Sequence, residues 1–287
     1  MARASEGRSS LSRAMQLLSA FDVNSVFLTV SQLSERTNLP LSTTHRLIND
    51  LVEHGLLERR ENKSYRLGLR LWELASKTPG AVGLREIARP HLNAVHARIR
   101  QHTQLSVLDG REAVFLERLS YPQAVVNYTL IGGRLPLHAS SSGLVLLAHA
   151  AAHFQESFLE SELYSYTANT VHSGAELRRM LGKVRTDGYV IGDGYIHESA
   201  RGIAVPIRGV GDEVIAALGV VVPNDQTPTL PTARLLQAIS RGISRDLLEA
   251  YAPAGDTMRG DGKREEFRML VRSSEESMAI VPTIPKI

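Results

Sequence analysis

The chain has no cysteine, and that single absence removes two classes of protein. A disulfide-stapled scaffold cannot form, and neither can a zinc or iron–sulfur site built on thiolates. The absence also suits a reducing compartment, so a cytoplasmic location is expected. No apolar run reaches the ~20 residues that a membrane helix needs, and no membrane partner is expected. The opening MARASEGRSS is basic but is not followed by the continuous apolar stretch of a signal peptide. Charge of one sign is scarce as well, with a formal net charge of +3. The signatures of common chemistry are missing too: no HExxH, no GxSxG elbow, and no strand–GxxxxGK[ST]–helix pattern. No catalytic residue, metal or cofactor is therefore expected.

What is present is enough material for two domains: 287 residues, of which 43% are hydrophobic. The small positive excess is unevenly placed. Residues 1–77 hold 11 Lys+Arg against 8 Asp+Glu, whereas 78–252 hold 16 of each and 253–287 hold 6 of each. The whole excess lies in the N-terminal segment, which points weakly to a polyanion partner there.

That segment reads as helices. Ser9 and Ser10 can cap a first one, with Leu11, Met15, Leu18 and Phe21 as its apolar stripe. Thr29 and Gln32 have the spacing of a capping box for a short helix to about Arg36. Asn38-Leu39-Pro40 turns the chain, and a further helix is predicted from about Leu41 to His54, stopped by Gly55. On a helical wheel Leu47, Ile48 and Leu51 share one side with Thr44. Ser42, Arg46 and Asn49 form a polar stripe on the other, flanked by Thr43 and His45. A solvated helix face is the plain reading of such a stripe. Its donors and acceptors also match phosphates and base edges in a major groove. After Gly55, two short strands around Glu61-Asn62-Lys63-Ser64 form a hairpin carrying Arg59, Arg60, Lys63 and Arg66. A helix-turn-helix followed by a basic hairpin is a winged helix, and double-stranded operator DNA is the expected partner.

Three stretches, SLSRAMQLLSAF, LTVSQLSERTNLPLSTTHRLINDLVEHGLLER and SYRLGLRLWELAS, resemble the DNA-binding domain of the IclR (isocitrate lyase regulator) family of bacterial transcription factors. Residues 70–77 continue as a helix, and 78–83 are the best linker candidate. In the resembled family a linker helix shares in dimer contacts. Trp72 in this stretch is then either such an anchor or a residue packed under the wing.

Beyond the linker the pattern is α+β. A helix is predicted over Leu84–Gln101, strands over Thr103–Leu108 and Ala113–Leu119 around an Asp109-Gly110 turn, and a third strand over Ala124–Leu130. Helices over Ser140–Ala150 and Gly174–Val184, strands over Gly202–Ile207 and Glu213–Val222, and a helix over Leu230–Tyr251 complete a mixed sheet. The domains are expected at 1–77, 84–252 and a tail at 253–287, the tail either disordered or docked on a neighbouring subunit through MAIVPTIP.

The resemblance continues in GGRLPLHASSSGLVLLA and VRTDGYVIGDGYIHESARGIAVPI. It implies a GAF-like domain holding a small-molecule effector, and self-association as a dimer or tetramer. The implied pocket residues are Asn127, Ser140, Ser141, Ser142, Gly143, Asp193, His197, Gly202, Gly219 and Val221. Gly202 stands where many members have Cys, Gly219 and Val221 where some have Ser, Gly192 at the usual Asp, and Leu144 at the common Lys. The loss of these polar groups predicts a roomier, more apolar cavity and an aromatic acid or its derivative as effector. The implied function is a ligand-responsive transcriptional regulator, a repressor of a catabolic operon.

A second reading keeps the DNA domain as an accessory to an enzyme. His149 and His153, spaced i, i+4 near Glu156, suggest a metal site, and Ser140–Ser142 with Asp193 and His197 a hydrolytic triad. Neither has a recognisable motif around it, and His138 in PLHAS reads as structural.

Overall fold

A computed structural model describes residues 9–22, 25–77 and 79–251. The chain divides into two compact units, Met1–Thr78 and Pro79–Ile287. The tail expected at 253–287 and the linker residue Thr78 lie outside the described residues.

The first unit contains α1 (Ser10–Leu18), β1 (Leu28–Thr29), α2 (Val30–Thr37), α3 (Leu41–Glu53), β2 (Leu57–Arg59), β3 (Ser64–Leu67) and α4 (Leu69–Ala75). Ser9 caps α1 by accepting from the Ser12 N–H at 3.1 Å. The predicted capping box is present in both directions at Thr29 and Gln32. The strands form a three-stranded antiparallel sheet in the order β1-β3-β2. Leu33, Leu47, Ile48, Leu51, Leu57 and Tyr65 form the core with Leu17 and Leu28. The α1 stripe differs from prediction. Leu11 and Met15 are 72% and 53% exposed, and fully buried Leu17 takes the central place. The helical stripe that meets the core is Ala14, Leu17 and Leu18, an i, i+3, i+4 set, and Phe21 joins it from beyond the helix end. Trp72 is 68% exposed, so it is not packed beneath the wing.

The second unit contains α5 (Pro79–Ile99), β4 (His102–Asp109), β5 (Glu112–Leu119), β6 (Arg134–Pro136), α6 (Ser141–Ala148), α7 (Ala152–Leu159), α8 (Gly174–Asp187), β7 (Val190–Asp193), β8 (Ala200–Arg208), β9 (Val214–Pro223) and α9 (Leu230–Tyr251). Residues 79–83, predicted as linker, are the first turn and a half of α5, because Pro79 is well suited to the first helical position.

The sequence predicts a mixed sheet. All five pairings in the six-stranded order β6-β5-β4-β9-β8-β7 are antiparallel. Short hairpins β4–β5 and β8–β9 supply two of these pairings, and no crossover helix joins parallel neighbours. The class remains α+β. The third strand predicted over Ala124–Leu130 is a loop. Side chains satisfy its backbone instead of a ladder: Gln101 accepts from the Val125 N–H at 3.0 Å, and Asn127 from the Thr129 N–H at 3.0 Å.

The two faces of the sheet differ in bulk. Leu105, Ile203, Val205, Ile207, Leu218 and Val220 pack against α5 and α9. On the other face β8 and β9 present Ala204 and Ala217, with Gly202 and Gly219 on the same sides, and α6 lies against them, buried from Ser142 to Ala148. Large residues keep α5 and α9 at ordinary packing distance, and small ones let α6 approach the sheet closely.

Gly68 marks a comparable close approach in the first unit. Its N–H donates to the Leu56 carbonyl at 2.9 Å, and a Cβ at Gly68 would fall well inside contact of the Gly55 carbonyl oxygen. Gly55, at φ +69°, turns the chain between the end of α3 and β2. Gly68→Ala is expected to destabilise the first unit by about 2–3 kcal/mol, because backbone atoms cannot give way as a flexible side chain can. Denaturant unfolding of the variant should show this, and an unchanged midpoint would contradict the close approach.

Candidate DNA-binding face and ligand cavity

The polar stripe of α3 is positioned by the turn before it. Asn38 adopts the left-handed conformation (φ 52°), and Pro40 opens the helix from extended backbone. Thr44, on the inner face, is fully buried and donates to the Pro40 carbonyl at 3.1 Å. Ser42, His45, Arg46 and Asn49 are exposed and Thr43 is half-buried. Arg46 pairs with Asp50 one turn on at 3.4 Å, with both side chains more than half exposed. Such a pair is weak and readily exchanged for a stronger anion.

The wing cations have unequal freedom. Arg66 is held by Glu58 at 2.6 Å, and Glu58 also accepts from the Leu69 N–H at 3.2 Å. The Arg66 bond and then the Leu69 bond hold the Glu58 carboxyl below the usual carboxylate range. Arg60 lies over the Phe27 ring at 4.4 Å, a support the sequence did not disclose. Lys63 sits at the hairpin tip in the left-handed conformation (φ 62°). Arg59, Lys63 and Arg66 are exposed, and among the described residues only Arg66 of these three has an ion-pair partner.

In the second unit a cavity lies between the start of α6, strands β4, β5, β8 and β9, and the loop joining β5 to β6. Its volume is about 70 Å³. That is roughly half the ~150 Å³ of an engineered void that holds one aromatic ring. Its lining is mostly apolar and contains no aspartate, glutamate, lysine or arginine. Asn127, Ser140, Ser141, Ser142, His197, Gly202 and Val221 line it as the sequence suggests. Gln104, Phe115, Tyr128, Thr129 and Tyr195 line it too and were not foreseen. Gln104 carries a signal that was readable, a polar residue at an inward position of an otherwise apolar strand. The loop residues carry none.

Three expected pocket residues stand elsewhere. Gly143, Asp193 and Gly219 do not line the cavity. Asp193 is exposed and pairs with Arg201 directly across the β7–β8 ladder. Gly143 is packed on Leu137, and Gly219 faces the Ser142 hydroxyl, which a Cβ would meet at 2.9 Å. The expectation of extra room is corrected in the same way. A Cβ at Gly202 would stand 2.5 Å from the Ser141 hydroxyl oxygen, and one at Gly192 would stand 2.8 Å from the Tyr195 ring. The space left by the missing side chains is thus filled by serines of α6 and by a tyrosine. The uncharged lining does follow the expectation.

The polar groups around the cavity are hydroxyls, side-chain amides and an imidazole, which can donate as well as accept. Ser140 caps α6 by accepting from the Gly143 N–H at 3.1 Å, so the helix presents its N-terminal end to the cavity beside Ser141 and Ser142. Burial pushes the Tyr195 phenol up to about 12, with Asp193 and Glu176 adding to the effect, so it remains a hydroxyl.

The alternative chemistry does not assemble. His149 Nδ1 donates to the Val145 carbonyl at 2.9 Å and ends α6, whereas His153 belongs to α7. Ser199 engages His197 Nδ1 at 2.8 Å, and Ser140 donates to the Pro136 carbonyl at 3.2 Å. Ser140–Ser142, Asp193 and His197 therefore form no relay. Among the described residues no group of three His, Asp or Glu is placed to hold a metal ion. No helix among them is long and apolar enough to cross a membrane.

A winged helix followed by a separate α+β unit with a small internal cavity defines a sensor-type transcriptional regulator. Family models agree over both units: the IclR helix-turn-helix domain matches residues 10–61, and the bacterial transcriptional regulator IclR C-terminal domain matches 77–245. The chain belongs to the IclR family. It is 34% identical over 211 residues to the HTH-type transcriptional regulator XynR of Escherichia coli K12, covering 73% of this chain and 84% of that protein. It is 27% identical to the Pca regulon regulatory protein of Pseudomonas putida, covering 83% and 82%. Among solved structures, an IclR homolog complexed with 4-hydroxybenzoate from Microbacterium hydrocarbonoxydans is 45% identical, with a TM-score of 0.78 over 84% of this chain and all of that one.

Two buried imidazoles and a half-buried one give this unit a pH dependence. Desolvation by burial holds His102, His138 and His149 below the ordinary imidazole value of 6.5. The unfolded chain therefore takes up protons at these rings before the folded one as pH falls. Stability from these groups is complete above about pH 6.5 and declines on acidification below it. Thermal melts between pH 8 and pH 5 should show the second unit losing stability across that range, and a flat profile would contradict the burial of these rings.

Proposed function

We propose that the protein is a cytoplasmic repressor of a catabolic operon whose affinity for operator DNA is set by a small aromatic carboxylate bound in the cavity of the second unit. The uncharged cavity, walled by apolar side chains and edged by hydroxyls and amides, is the observation that carries this reading. A planar ring suits the apolar walls, and a carboxylate suits the donors. The 45% identical relative in complex with 4-hydroxybenzoate supports the same class of ligand.

At the DNA end, Ser42, Thr43 and Arg46 are the direct contacts, His45 and Asn49 flank them, and Arg59, Arg60, Lys63 and Arg66 follow the phosphates as a wing. One helix-turn-helix reads a half-site, so the working form is a dimer or a tetramer built from dimers. The effector acts by population shift: it binds one arrangement of the paired DNA-binding domains more tightly and so changes operator affinity.

Ligand screening by thermal shift tests the sensor half. At ~100-fold excess over Kd an effector stabilises by about 2.7 kcal/mol, a rise of roughly 5–10 °C for a unit of this size. Aromatic acids should produce it. Strong shifts with pyruvate or glyoxylate and none with aromatic acids would sink the assignment.

Gel shifts with the DNA upstream of its own gene test the other half. Arg46→Ala should lose ~1–3 kcal/mol of specific binding for a bidentate base contact. Lys63→Ala should weaken binding to all sequences and lower the salt slope by about one unit. Operator affinity equal to wild type in Arg46→Ala would remove that residue from the interface.

A further inference from the structure

Two buried donors near the cavity have no hydrogen-bond partner: Nδ2 of Asn127 and Nε of Arg118. Folded proteins pair nearly all buried donors; Asn127 lines the cavity and Arg118 lies beside it, so an acceptor reaching this side of the cavity would meet both.

The orientation of the Asn127 amide is fixed by its neighbours. Its Oδ1 accepts from the Thr129 N–H at 3.0 Å and from the Thr129 hydroxyl at 2.8 Å. The Thr129 hydroxyl in turn accepts from the Gln104 side-chain amide. Reversing Asn127 would set its NH₂ against an N–H donor, so the NH₂ is the free end. All three residues of this relay line the cavity.

Arg118 lies next to the relay. It pairs with Gln104 across the β4–β5 ladder, and its Nη1 donates to the Thr129 carbonyl. It is partly buried, and no carboxylate lies within ion-pair distance among the described residues. Burial also holds its pKa below the usual guanidinium value. A partly desolvated cation without an anion is costly to keep, and an anionic ligand would offset that cost.

We propose that Asn127 binds the carboxylate of the ligand and that Arg118 supplies its counter-charge, leaving Ser141 and Ser142 for the ligand's other polar end. The assignment rests on the reading of the cavity as a carboxylate site. It makes ligand charge the specificity element, with Asn127 in contact and Arg118 acting through the Thr129 loop.

The test is calorimetric titration of the full-length protein with 4-hydroxybenzoate and its neutral isostere 4-hydroxybenzamide. Wild type should prefer the acid by about tenfold or more, the range for a charge-assisted hydrogen bond. Asn127→Asp should abolish or invert the preference. Arg118→Gln should cut acid affinity by about tenfold while amide affinity stays within about twofold, and Arg118→Lys should restore most of the preference. Ligand-free melting temperatures separate misfolding from a lost contact. Variants that weaken both ligands alike would reduce both residues to a structural role, and an unchanged acid preference would place the carboxylate elsewhere. Either outcome overturns this assignment alone. A wild type that binds neither 4-hydroxybenzoate nor any other aromatic acid overturns the carboxylate reading and this assignment together.

Discussion

The second unit depends on how closely α6 approaches the sheet. The helix has almost no polar face: from Ser142 to Ala148 it is buried. It can lie there because β8 and β9 carry glycine and alanine on that side, while the same strands carry leucine, isoleucine and valine on the other. The serine hydroxyls of α6 fill the places where side chains at 202 and 219 would stand. The cavity is the space left beyond this contact, roofed by the loop between β5 and β6. Its floor therefore comes from one constraint, a helix start pressed against a strip of small residues, while the loop over Asn127 and Thr129, with Gln104 of β4, adds polar groups from the opposite side.

The same logic works in the first unit on a smaller scale. Gly68 and Gly55 bring the end of the wing against the end of the recognition helix, and only backbone fits between them. The hairpin is thereby fixed relative to α3 before any DNA is present, so the cations of the wing and the stripe of α3 form one preorganised surface. Preorganisation matters because a protein reading a few base edges has little binding free energy to lose to ordering.

The sequence disclosed the first unit more fully than the second. Capping at Thr29, the left-handed stop at Gly55 and the Leu47–Ile48–Leu51 stripe are local signals, and each appears where local physics puts it. The α1 stripe was misplaced because Leu11 and Met15 are as apolar as the residues that are buried, and tertiary packing chose between two overlapping faces. In the second unit helix and strand identities were largely legible, but the loop over 124–130 was not. Its apolar, β-prone composition reads as a strand, and only distant side chains such as Gln101 and Arg118 show why it is not one. The cavity was half-legible. Ser141, Ser142 and Gly202 came from a motif resemblance, but the filling of glycine spaces by serine and tyrosine is a three-dimensional fact with no signature along the chain. Asp193 came from the same resemblance and lies outside the cavity because Arg201, its partner across the ladder, holds it at the exposed edge.

The central claim is that the space at the start of α6 governs DNA binding. The most direct measurement is operator affinity with and without saturating aromatic acid for wild type, Gly202→Ala and the double variant Gly202→Ala/Ser141→Gly. The account predicts a ligand response in wild type, its loss in Gly202→Ala with ligand-free DNA affinity unchanged, and its return at higher ligand concentration when the Ser141 side chain is removed, because that variant regains the space but loses the Ser141 contact. A Gly202→Ala protein that responds to ligand as wild type does would contradict it.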